Sequence, residues 1–246
     1  MNELLRKHMY SENVYFPDVF KGCKHDCVYC RPSFQRQAKC QRQRCQKCYT
    51  FEPHNHFERM KGKSPATKGS QIVFFPKGGD PCFASPKELD AMFGYVMLNP
   101  QTTFFMQTKN PQFLWRRTLP SNLIVAITLE TNVNNFMYLP WKNLSLYSYY
   151  RDISKAPCPR DRFESFMLVN HPHKAVTIEP ILQFRLDAFC TMIQQLHPEF
   201  VYVGYDNHNC HLPEPSLADT ERLIVELRKF TEVHLKTIRK AWWESA

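Results

Sequence analysis

Three cysteines fall within eight residues of this chain, at Cys23, Cys27 and Cys30 of "GCKHDCVYC". Three thiolates on one loop can hold three irons of a [4Fe–4S] cube and leave the fourth iron open to a ligand that is not protein. Zinc is the alternative, but a structural zinc takes four protein ligands, typically from paired C-x2-C units. His25 and Asp26 are poorly spaced to complete such a set. A second group follows at Cys40, Cys45 and Cys48, with C-x4-C-x2-C spacing. Plant-type ferredoxins use that spacing, with a distant fourth cysteine, for a [2Fe–2S] centre, and an auxiliary [4Fe–4S] cluster is a further option. His54 and His56 come next, and Cys3His is an ordinary zinc site. The nearby histidine tilts the second group toward zinc. The chain has ten cysteines, and in a reducing compartment clustered cysteines bind metal by default rather than forming disulfides.

These residues need elements to position them. The 246 residues suit one large domain, and the 43% hydrophobic content is enough for a core. Apolar runs at 14–20, 71–76, 102–108, 122–130, 174–182, 199–206 and 232–236 read as strands, several of them apolar enough to be buried on both faces. Helical patterns lie at 85–98, 110–117, 160–169, 185–196 and 217–230. The first of these opens with Ser85, Pro86 and Glu88, a capping-box pattern. Strands alternating with helices predict an α/β fold with a parallel sheet. The number of units fits a partial (β/α)6-type TIM barrel better than a closed eight-fold one, which takes about 250 residues without large insertions. The expected organisation is a single domain over 1–246, with 31–70 a basic, cysteine-rich, metal-binding insertion. An aromatic irregular stretch at 132–159 is a second expected insertion.

In parallel α/β folds, ligands sit at the carboxyl ends of the strands. There the sequence places the first three cysteines, then Gly78, Gly79 and Asp80, then Gln107, Thr108 and Lys109, then Glu130 and Thr131, with Glu179 in the fifth strand. Cys82 follows the Gly-Gly-Asp segment and is a weak candidate for a hydrogen donor or metal ligand.

The C-x3-C-x2-C loop after a first strand, with Tyr29 just before the third cysteine, resembles the signature of the radical S-adenosylmethionine enzymes. "PKGGDP" is similar to their Gly-Gly-Glu stretch, whose backbone and acid engage the amino group of adenosylmethionine; Asp80 here replaces the Glu. "VTIEPIL" resembles the segment that lines the adenine, and Glu130 and Thr131 sit where polar residues bind the cofactor's carboxylate or ribose. The likeness covers residues from about 14 to 206. Segments such as "CQKCYTFEPHNHFERM" and "QTKNPQFL" are similar to the phage Gp37/Gp68-like group, and "QTKNP" also resembles spore photoproduct lyase. The resemblance implies a [4Fe–4S] cluster and S-adenosylmethionine as cofactors, with Gly78, Gly79, Asp80, Thr108, Lys109, Glu130, Thr131 and Glu179 as their binding residues. It further implies a reductant such as ferredoxin or flavodoxin. The implied chemistry is reductive cleavage of S-adenosylmethionine to a 5′-deoxyadenosyl radical.

The formal net charge is +9, which favours a polyanionic partner. Arg36, Lys39, Arg42, Arg44 and Lys47 surround the second cysteine group. Trp141, Tyr147, Tyr149 and Tyr150 lie among Lys142 and Arg151, a mixture that suits stacked bases. The expected activity is therefore modification or repair of a nucleic-acid base or nucleotide. The alternatives are radical modification of a peptide or small molecule, and a non-catalytic zinc-ribbon nucleic-acid binder. No apolar run of transmembrane length occurs, and "MNELLRKHMY" lacks a secretory signal pattern, so the expected location is the cytoplasm.

Overall fold

The computed structural model describes residues 12–136 and 147–244. In chain order the elements are β1 (Phe20–Gly22), α1 (Arg36–Lys39), α2 (Gln46–Thr50), β2 (His54–Asn55), β3 (Val73–Phe74), β4 (Gly78–Gly79), α3 (Pro86–Met97), β5 (Phe104–Thr108) and β6 (Leu123–Thr128). They continue with α4 (Tyr150–Ile153), α5 (Pro159–Met167), β7 (Lys174–Ile178), α6 (Leu186–Gln195), β8 (Phe200–Val203), α7 (Leu217–Leu227) and β9 (Glu232–Leu235). Six strands pair in the order β3-β5-β6-β7-β8-β9, every pair parallel. The sheet curls into a half-barrel. A smaller sheet, β2-β1-β4, sits beside it, with β1 parallel to β4 and antiparallel to β2.

Alternation along each strand explains how this sheet holds both a core and a site. On one face Phe104, Met106, Val125, Ile127, Val176, Ile178, Val201 and Val203 pack against Leu89 and Met92 of α3, Ile193 of α6 and Leu223 of α7. Each such fully buried side chain contributes about 1.5–3 kcal/mol. Their alternates on the concave face, Phe105, Ala126, Ala175 and Tyr202, form a separate apolar cluster with Ile72 and Phe74. Continuing by twos toward the carboxyl ends, the same face passes through Gln107, Thr128 and Thr177 and reaches Lys109, Glu130 and Glu179. The barrel floor is thus apolar and its mouth charged.

Three local expectations are revised. The stretch 14–20 is mostly irregular: Asn13 makes an isolated bridge to Ile72, and ladder pairing begins only at Phe20. Pro17 in that run has no N–H to donate. The strand expected at 71–76 divides around Pro76 into β3 and β4, and both parts run alongside residues 13–22. The helix expected at 110–117 is a single 3-10 turn, Pro111–Leu114; Asn110 caps it, and Arg116 has a φ of 56°. The capping box of α3 forms as read, with Ser85 and Glu88 bonding each other's backbone N–H. Trp141, Lys142 and the first ten residues lie outside the described residues. Among the described residues no helix is long and apolar enough to cross a membrane.

Candidate functional site

Cys23 follows β1 directly, and Cys30 closes a 3-10 turn over Val28–Cys30. The loop between them is held from three sides. The Cys23 N–H donates to the Phe51 carbonyl at 3.2 Å. The Lys155 N–H donates to the His25 carbonyl at 2.7 Å. Ser154 Oγ lies 3.1 Å from Cys27 Sγ. Cys27 and Tyr29 are buried. The three sulfurs are not gathered on one point: the described residues contain two sets of donors close enough together for a single ion, and this trio is in neither. Cys27 and Cys30 are within hydrogen-bond reach of each other.

Behind the loop lies a buried ion network. Glu130 is fully buried. Its Oε1 accepts from Tyr29 at 2.6 Å, from Tyr150 at 3.0 Å and from Lys109, and its Oε2 accepts from Arg162 at 2.8 Å. Burial alone would push the Glu130 carboxyl up, but Arg162 and then Lys109 outweigh it and hold the group well below the usual carboxylate range. Burial likewise opposes the Lys109 charge, and Glu130 more than restores it. Arg162 also donates to the Thr128 carbonyl at 2.5 Å. Its Nε and Nη2 find no acceptor among the described residues, and the guanidinium lies over the Tyr150 ring at 4.9 Å. Two cations face one carboxylate, so the network carries one excess positive charge next to the thiols. A hydrogen bond from Cys30, against burial and with help from Lys109 and Ser154, lowers the Cys27 pKa, while Glu130 opposes this. Burial and then the Asp80 charge push Cys23 up.

Asp80 is a bracket between the cysteine loop and the strand ends. Its Oδ1 accepts from the Cys82 N–H at 3.0 Å and from Thr108 Oγ1 at 2.7 Å. Its Oδ2 accepts from the Lys109 N–H at 2.8 Å and meets His25 Nε2 at 3.1 Å. Burial opposes its charge, yet the bonds from His25 and Thr108 keep its pKa below the ordinary value. Cys82 Sγ lies 3.5 Å from His25 Nε2, and the donor atoms of His25, Asp80 and Cys82 are close enough for one ion. All the acceptor positions of Asp80 are already used inside the protein, which makes the trio a structural clasp. Gly78 and Gly79 allow the close approach of β1 and β4: a Cβ at Gly79 would lie 2.7 Å from the Gly22 carbonyl oxygen. Thr131 Oγ1 donates to the Gln183 carbonyl at 2.5 Å. Glu179 pairs with buried Lys236.

The second group gathers differently. Cys45, Cys48, His54 and His56 place one donor atom each within 4.8 Å of all the others, a set able to hold a metal ion. Cys40, which completes the sequence spacing, is exposed and stays outside it.

Compared with known proteins, the chain matches no protein-family model and no curated protein. Its site is therefore read from geometry. Sequence reasoning named the cysteines, Asp80, Lys109 and Glu130, and the structure brings these into one region. It missed Arg162, which in "PRDRFESF" looks like an ordinary solvated helix charge, and Ser154. It noted His25 only as a poor metal ligand, and Tyr150 only as one of several loop aromatics. A depression lined by Arg116, Arg117, Asn170 and His171 lies at the other end of β6 and β7, away from all of this.

Proposed function

We propose that this chain is a radical S-adenosylmethionine enzyme whose Cys23, Cys27 and Cys30 hold a [4Fe–4S] cluster. One observation carries the reading: a single loop with Cys27 buried offers three thiols at the carboxyl ends of a parallel half-barrel, against an ion network with a positive excess. The donor set fits the group. Three thiols leave one corner of a cube without a protein ligand, and a neighbouring net cation balances added thiolate charge. When bound, the cluster and S-adenosylmethionine supply reductive cleavage of the sulfonium C–S bond and a 5′-deoxyadenosyl radical able to take hydrogen from unactivated carbon.

The chain's own residues bind, orient and exclude water. The three cysteines act as thiolates. Lys109 and Arg162 supply compensating charge, and Glu130 holds both in place. Tyr29 and Tyr150 close the network from solvent. Asp80 and His25 fix the loop relative to β4 and β5. Gly78, Gly79, Thr108, Thr131 and Glu179 form the rim at which the sulfonium nucleotide would be received. Thr177 Oγ1, buried on the concave face without a hydrogen-bond partner among the described residues, is a further polar group on that wall.

The substrate class in this reading is nucleic acid. Arg36, Lys39, Arg42, Arg44 and Lys47 are all exposed on and around α1 and α2, and five such cations suit a phosphate backbone. The test is anaerobic reconstitution with iron and sulfide. About four irons per chain and a cluster signal in the paramagnetic resonance spectrum of the reduced protein are expected. Dithionite plus S-adenosylmethionine should then release 5′-deoxyadenosine, and Cys27→Ala should abolish the release. A colourless protein holding zinc alone would replace this reading with a zinc-ribbon binder. Retention of RNA and DNA that does not weaken with salt would move the substrate to a peptide or small molecule.

A further inference from the structure

The second cysteine group shows its geometry more completely than the first. Cys45 stands at the N-cap of α2, and one turn later Cys48 donates its N–H to Cys45 Sγ at 3.4 Å. Phe51, with a φ of 59°, ends the helix and turns the chain into β2. His54 and His56 are two residues apart on extended chain, so they face the same side. His54 Nε2 then lies 3.5 Å from Cys45 Sγ and 3.3 Å from Cys48 Sγ, and His56 Nε2 lies 3.2 Å from Cys48 Sγ.

The outer hydrogen bonds of the two rings fix which nitrogens face the centre. His54 Nδ1 sits 2.7 Å from the Glu52 carbonyl oxygen, which only accepts, so that nitrogen carries the proton. His56 Nδ1 sits 3.1 Å from the Glu58 carboxylate, with the same consequence. Both rings therefore turn Nε2 inward, and the two Nε2 atoms are 2.9 Å apart. Outer acceptors on Nδ1 with Nε2 turned inward are how ligating histidines are held.

Distances select the ion. A tetrahedral zinc with bonds of about 2.0–2.3 Å separates its nitrogen and sulfur ligands by roughly 3.3–3.8 Å. The four separations here match within about half an ångström on that basis. A two-iron centre would spread its ligand pairs over two metal ions, whereas these four donors share one point.

We propose that Cys45, Cys48, His54 and His56 form a closed, mononuclear zinc site without Cys40, and that this site anchors the root of the Cys23–Cys30 loop. The anchoring path is short. His54 grips the Glu52 carbonyl, and that carbonyl backs directly onto Gly22, where a Cβ would lie 2.1 Å from its oxygen. Phe51 accepts from the Cys23 N–H, and the His56 N–H donates to Val19 at 2.7 Å. Lys21 pairs with His54 across β1 and β2. The zinc assignment stands on donor geometry alone, and the anchoring rests on reading the first loop as a cluster loop.

The experiment is metal analysis of the full chain purified without oxygen. One zinc per chain is expected, retained in Cys27→Ala and Cys40→Ser and lost in Cys48→Ser. Cobalt exchanged into the wild-type protein should show the intense visible bands of a tetrahedral site with thiolate charge transfer, a readout that does not depend on any variant folding. Zinc absent from the wild type, retained in Cys48→Ser, or lost with Cys40→Ser overturns the assignment, as does an octahedral cobalt spectrum. Zinc-stripped protein should then hold iron at the first loop about 10-fold or more weakly after reconstitution. Full iron loading without zinc overturns the anchoring and leaves the zinc site standing. Zinc present with no iron under any condition overturns the cluster reading and the anchoring with it, and leaves the zinc site standing.

Discussion

The two cysteine groups have similar spacings, C-x3-C-x2-C and C-x4-C-x2-C, and the fold treats them in opposite ways. The first has a charged network behind it, and its three sulfurs do not all share one point. The second has four donors drawn to one point and two imidazoles locked by outer hydrogen bonds. On the proposed reading the first receives a cluster and the second a single ion. What separates them is the chain that follows. After Cys48 come a left-handed turn and a short strand that returns two histidines. After Cys30 comes an irregular helix, Arg31–Gln35, that returns no cysteine or histidine to the loop.

The sharpest test of the contrast is Glu130→Gln. It leaves Lys109 and Arg162 buried beside a neutral amide, and losing one member of such a buried set costs about 3–5 kcal/mol. Urea denaturation should show that loss with the zinc content unchanged. The sign with pH follows from the depressed carboxyl. A carboxylate whose folded pKa lies below its unfolded one stabilises above the unfolded value, about 4.3, and loses that contribution as pH falls toward the folded pKa. The gap between wild type and variant should be constant from pH 7 to about 5 and shrink below about 4.3.

Gly22→Ala tests whether the two groups are mechanically joined. Its φ is 88°, and the added methyl meets the Glu52 carbonyl. A cost of about 1–3 kcal/mol is expected from backbone strain, with both zinc and iron retention weakened. Loss of only one metal would separate the two regions. Asp80→Asn keeps the shape of the bracket but gives up charged acceptors, with an expected loss of about 1.5–3 kcal/mol by thermal melting. It should lower iron retention and leave zinc alone. The smallest effect belongs to Cys40→Ser, within about 0.5 kcal/mol and without change in either metal.

Much of this was legible in the sequence. The strands at 102–108, 122–130, 174–182 and 199–206 announced themselves because continuous apolar runs are what strands buried on both faces require, and the register then delivered Lys109, Glu130 and Glu179 to one mouth. The capping signals at Ser85 and Glu88 are local and read correctly. What did not show is whatever depends on distant partners. Nothing in "PRDRFESF" marks Arg162 as a buried counter-ion, since its partner lies 32 residues earlier. Nothing in C-x4-C-x2-C tells which cysteine drops out, because Cys40 is excluded by where α1 ends rather than by spacing. The short pairing of Gly78–Gly79 with residues 21–22 falls below any periodicity signal.

The mouth also has a core of its own. Cys27, Tyr29, Tyr150, Ile153, Leu182 and Leu212 pack together as a cluster distinct from the one beneath the helices. An apolar cluster at the mouth, smaller than the one beneath the helices, implies a local melting scale of its own. Amide protons at 27–30 and 150–154 should exchange well before those of β5 to β8, so the rim can breathe for a guest while the staves of the barrel stay shut.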